Sequence, residues 1–93
     1  MIPKKFQLMG ATYEVKLVGA KNWPDDEAVG LCNFLNQQIM VLDTVSESQQ
    51  QQTFCHELVH CILDKMGEND LNDNEKFVDL FGSLLHQAWT SCK

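Results

Sequence analysis

From Ser46 to Gly67 the chain reads SESQQQQTFCHELVHCILDKMG, with no proline and no glycine before its last residue. Ser46 or Ser48 can cap backbone donors at one end, and Gly67 can take the left-handed conformation at the other. The stretch therefore predicts a helix of roughly five turns, in which Gln49 to Gln52 form a polar first turn. At about 100° per residue, Phe54, Cys55, Leu58, Val59, Cys61, Ile62 and Leu63 cover more than half of its circumference. A helix so apolar needs cover on two sides. The rest of the chain has to supply a sheet for one side and another helix for the other.

The flanking sequence offers both. KKFQLMGATYEVKLV alternates polar and apolar residues around Gly10, with Phe6 and Leu8 before it and Tyr13, Val15 and Leu17 after it, and reads as a β-hairpin. Gly19 to Gly30 holds Pro24 and an acid cluster and reads as a solvated loop, with Trp23 as its anchor to the core. Two short apolar runs, Leu31 to Phe34 and Ile39 to Leu42, flank the tip Asn36, Gln37 and Gln38 and suggest a second hairpin. Beyond Gly67, ENDLND reads as a loop. NEKFVDLFGSLLHQAWTSC then gives a second helix with Phe77, Leu80, Phe81, Leu84, Leu85, Ala88 and Trp89 on one broad face. The expected fold class is α+β, a small antiparallel β-sheet of two hairpins packed against two helices, forming one domain over residues 1–93.

Composition narrows the partners. Thirteen acids against seven lysines and no arginine give a net charge of -6, and the lysines are scattered from Lys4 to Lys93. Nucleic-acid and anionic-membrane surfaces rest on clustered cations, so neither partner is expected. No stretch approaches the ~20 apolar residues of a membrane span, and the start lacks the continuous apolar region of a signal peptide. Cys32, Cys55, Cys61 and Cys92 form no CxxC pair. Without an export signal they are expected as free thiols in the cytoplasm.

His56 and His60 lie about 40° apart and one turn above each other on the first helix, so one ion can touch both. Zn²⁺ takes neutral imidazoles at about 2.0–2.1 Å, and a tetrahedral catalytic site needs one further protein ligand and a water. Glu57, about 100° round from His56, flanks the ion without joining the ligand row. There it can take a proton from a water whose pKa the metal lowers toward ~7, which is why the HExxH spacing suits hydrolysis. The plain alternative makes His56, Glu57, His60 and Asp64 the solvated side of the helix. Cys55 and Cys61 turn toward the apolar sector and belong with the core.

A third ligand has to come from the second helix, where Glu75, Asp79, Gly82 and His86 fall within about 60° of one face. An extended loop after Gly67 brings Glu75 to the level of the histidines; a compact one brings Asp79. Glu75 is preferred slightly. Each has a plainer role too: Asn72 and Glu75 have capping-box spacing, and Asp79 and His86 can be ordinary helix-surface residues.

TFCHELVHCIL followed by NEKFVDLFGSLL resembles the ImmA/IrrE-type metallopeptidases of bacteria and their phages, gluzincins with two His and one Glu as zinc ligands. In that family a Glu on the next helix precedes an aliphatic residue by three positions and a Phe by six, with paired Leu after it. Glu75, Val78, Phe81, Leu84 and Leu85 fall on this pattern, so the resemblance implies His56, His60 and Glu75 as the zinc ligands, with Asp79 as runner-up. It covers Gly30 to Leu85 and implies a zincin-like fold, a protein substrate such as a transcriptional repressor, and a phage or prophage setting. It further implies that Leu31 to Phe34 forms an edge strand on which an extended peptide adds. Longer members carry a DNA-binding domain or a C-terminal extension, and a minimal member is expected here. The family often has Asn where this chain has Asp79. His86 and Tyr13 are the candidates for stabilising an oxyanion.

The expected function is that of a zinc-dependent endopeptidase in which Glu57 activates the water. The alternative is a non-catalytic, zinc-stabilised module that docks a partner protein.

Overall fold

The computed structural model describes residues 2–92. β1 (Lys5–Leu8) and β2 (Ala11–Val18) form an antiparallel hairpin in which Leu8 faces Ala11. The two residues between them, Met9 at φ 49° and Gly10 at φ 84°, both have positive φ, the geometry that matches a tight turn to the right-handed twist of its strands. β3 (Gly30–Asn33) and β4 (Gln38–Leu42) form the second hairpin. At its tip the Asn33 side chain accepts a hydrogen bond from the Asn36 N–H at 3.0 Å.

The hairpins join through a parallel pairing of β2 with β4, Val15 opposite Ile39 and Leu17 opposite Val41, in the order β1-β2-β4-β3. The sheet is thus mixed, not purely antiparallel as expected. Residues 19–29 carry the chain over the end of β4 to the far edge, so β4 returns inside β3 and runs with β2. Hydrogen bonds from Leu42 N–H to Val29 O and from Asp43 N–H to Val18 O fasten this crossing. Within the connection, Trp23 donates its indole N–H to Ala28 O at 2.8 Å, closing the loop on itself. β3 is left as an edge strand, the position the family resemblance implies for Leu31 to Phe34.

α1 (Glu47–Met66) begins at Ser46, whose side chain accepts from Gln49 N–H, and ends at Gly67, φ 74°. The segment expected as a loop contains one helical turn, α2 (Asn69–Asn72). α3 (Glu75–Ser91) is capped by Asn74, whose side chain accepts from Phe77 N–H at 3.1 Å. The capping box from Asn72 to Glu75 therefore does not form, and Glu75 is the first helical residue.

α1 lies between the sheet and α3, as its apolar circumference requires. On the sheet side Phe54, Cys55 and Cys61 pack with Tyr13, Val15, Ile39 and Val41; on the other, Val59 and Leu63 pack with Val78, supported by Leu71, Phe77 and Leu85. The side of α3 that seats on α1 differs from expectation. Val78 and Gly82 are buried, whereas Leu80, Phe81, Leu84 and Trp89 are 57%, 49%, 66% and 45% exposed. Gly82 explains the rotation, because a Cβ there would lie 3.0 Å from the His56 Cα and 3.3 Å from its N, both backbone atoms. The two helices meet where only a hydrogen fits. No helix among the described residues is long and apolar enough to cross a membrane.

Alanine usually stabilises a helix interior by ~1 kcal/mol relative to glycine. Gly82→Ala should do the reverse, lowering stability by roughly 1–3 kcal/mol through overpacking against α1. Urea unfolding of the variant measures this, and a stability gain would contradict the close approach of the two helices.

Candidate metal centre

His56 and His60 stand one turn apart on α1, and Glu75 starts α3 directly opposite them. Glu75 Oε2 lies 3.5 Å from His56 Nε2, and Glu75 Oε1 lies 3.2 Å from His60 Nε2. One ligand atom from each of the three residues falls within 4.8 Å of the other two. Atoms held about 2.0–2.1 Å from a tetrahedral ion stand roughly 3.3 Å from one another, so the three donors lie close enough to hold a zinc ion once they draw together around it. The three-residue donor set, two nitrogens and a carboxylate, also suits zinc and leaves a fourth position open.

The other ring nitrogens have partners. His60 Nδ1 is 2.5 Å from Asn72 Oδ1, and His56 Nδ1 is 3.1 Å from Asp79 Oδ1. A carbonyl or carboxylate oxygen only accepts, so Asn72 and Asp79 can each take an Nδ1 proton, the arrangement that would leave Nε2 to a metal ion. Asp79, the runner-up ligand, thus faces the opposite nitrogen of His56 from the one that meets Glu75. The compact α2 turn brings Asn72 to His60. Nothing local in the sequence marked that role, since Asn72 also had capping-box spacing.

Glu57 is only 8% exposed, unlike the solvated residue the helical count allowed. β3 lies over it: a Cβ on Gly30 would come within 3.2 Å of Glu57 Cγ and Oε2, and within 2.3 Å of Thr53 Cγ2. Glycine at the start of the edge strand is what lets the backbone close over the carboxylate. Glu57 Oε2 is 4.0 Å from His56 Nε2, beside the ligand row and not in it. His56, Glu57, His60 and Glu75 face a cleft of about 470 Å³, whose other wall includes Leu31 and Phe34. Burial pushes the Glu57 carboxyl up from its ordinary range; His56 and His60 oppose the shift and Glu75 adds to it.

The two oxyanion candidates are placed elsewhere. Tyr13 is 1% exposed in the core, its ring stacked on Phe6 at 5.1 Å. His86 sits against Gln51, 3.4 Å away, and does not line the cleft. Cys55 and Cys61 are buried with the core, as the helical count predicts. No family model, curated protein or solved structure matches the chain.

In metal-free protein the folded state binds the Glu57 proton more tightly than the unfolded state, whose carboxyl keeps the ordinary value of 4.5. That contribution is fully present below pH 4.5 and is lost as pH rises through the higher folded value. Thermal melts in chelator should therefore show Glu57→Gln gaining on wild type as pH rises above 4.5. A difference independent of pH would mean that this carboxylate is not buried.

Proposed function

We propose that the chain is a minimal zinc-dependent endopeptidase of the ImmA/IrrE type, with His56, His60 and Glu75 as metal ligands and Glu57 as general base. The observation that carries this reading is the pairing of an open three-residue donor set with a buried carboxylate 4.0 Å from one of its nitrogens. A purely structural ion, as in a zinc-stabilised docking module, has no use for such a base and is normally enclosed by four protein ligands.

Bound there, Zn²⁺ would polarise a substrate carbonyl and lower the pKa of a water toward ~7. Glu57 would accept a proton from a water in the cleft and pass it to the departing amide nitrogen, and its raised affinity for a proton suits both halves of that transfer. Asn72 and Asp79 hold the imidazoles in the tautomer that leaves each Nε2 free to bind. The free edge of β3 offers backbone donors and acceptors to an extended segment of a protein substrate, with Leu31 and Phe34 at the wall of the cleft. The family resemblance extends this reading to a repressor-like substrate in a phage or prophage setting. The free thiols Cys32, Cys55, Cys61 and Cys92 suit the cytoplasm.

Elemental analysis should find zinc in wild type and in Glu57→Gln and none in Glu75→Ala. Asp79→Ala should keep the metal with affinity weakened by roughly 10–100-fold. Against a quenched-fluorescent peptide library, Glu57→Gln should lose about 10²–10⁴-fold in rate. A Glu57→Gln variant as fast as wild type sinks the mechanism, and loss of zinc from Asp79→Ala but not from Glu75→Ala sinks the ligand assignment.

A further inference from the structure

Cys32 projects from the edge strand β3 toward α1, and its Sγ lies 2.9 Å from the Sγ of Cys61. Both are free thiols. A disulfide bond needs about 2.05 Å between the sulfurs, so closing this gap takes less than ~1 Å of movement. The two residues differ in access. Cys61 is fully buried, whereas Cys32 is half-buried and lines the metal cleft.

We propose that Cys32 and Cys61 form a reversible disulfide modification site, in which hydrogen peroxide entering through the cleft joins them and fastens the edge strand to α1. The Cys32 sulfur attacks one peroxide oxygen, the O–O bond breaks, and a sulfenic acid and one water result. The Cys61 sulfur then attacks the Cys32 sulfur, the S–S bond forms, and the hydroxyl leaves as a second water with the Cys61 proton. In sum two thiols are oxidised and one peroxide is reduced to two waters. A small oxidant is required because Cys61 has no surface of its own. The Cys61 contact, burial and the nearby Glu57 and Asp64 charges hold Cys32 protonated, so the reaction is slow and the pair rests as thiols. The bond closes a long loop, since the two residues are 29 positions apart, and it ties a strand held on one side only.

The full-length chain, reduced and freed of reductant, is incubated for hours with excess hydrogen peroxide and mapped by mass spectrometry under non-reducing conditions. The expected result is loss of two hydrogens in mass, a peptide linking Cys32 to Cys61, and a melting temperature higher by at least ~10 °C. Dithiothreitol should reverse all three. Cys92→Ser should behave as wild type, and Cys32→Ser and Cys32→Ala should show neither the link nor the shift. Cys32 carried on to sulfinic acid with Cys61 still free, or a link found only between Cys92 residues of two chains, overturns the proposal. None of these readouts depends on metal or peptidase activity.

Discussion

The contact between Gly82 and the backbone of His56 sets the rotation of α3, and most of the site follows from it. Glycine at that position lets two helices approach more closely than side chains allow. The residues of α3 within about 60° of Gly82 are then turned toward α1, and these include Glu75 and Asp79. Because the helices run antiparallel, Glu75 meets the histidine pair from below, while Asp79 arrives beside His56. The same rotation turns Leu80, Phe81 and Leu84 outward. The apolar arc of α3 is wider than the seam it fills, and the excess is exposed.

A second glycine does similar work on the opposite side of α1. Gly30 lets β3 close over Glu57 and Thr53, which converts a helix-surface carboxylate into a buried one. Both glycines sit where another element crosses the turn of α1 that carries His56 and Glu57. Placement of the site thus depends on close backbone approach from two sides. Neither glycine has the positive φ that marks a turn. In the sequence they look like a loop boundary and a weak spot in a helix.

What was legible was what repeats or caps locally. Both hairpins, α1 with its Ser46 and Gly67 termini, the sandwiching of α1 and the inward face of Cys55 and Cys61 follow from periods of 2 and 3.6 and from turn chemistry. The parallel seam between β2 and β4 was not legible, because strands paired across an intervening crossover leave no periodic trace. The orienting role of Asn72 and the burial of Glu57 were hidden for a related reason. Each is decided by what the rest of the chain lays against a residue. The shared face of Glu75, Asp79 and Gly82 was readable from angular counting, but which nitrogen each carboxylate meets depends on the depth at which α3 starts. The α2 turn sets that depth.

The electrostatics of the cleft bear on what such a site can hold. Glu57, Glu75 and Asp79 bring three carboxylates to two imidazoles, and no lysine lines the cleft. Glu57, the most buried of the three carboxylates, is also poorly hydrated. A divalent cation held by His56, His60 and Glu75 would offset much of this negative charge: it would compensate Glu75 and lower the cost of an ionised Glu57 beside it. The burial that makes Glu57 hard to ionise would then be countered by the ion beside it. On the proposed reading, a metal would reduce the charge imbalance of a site whose geometry the two glycine contacts have already fixed.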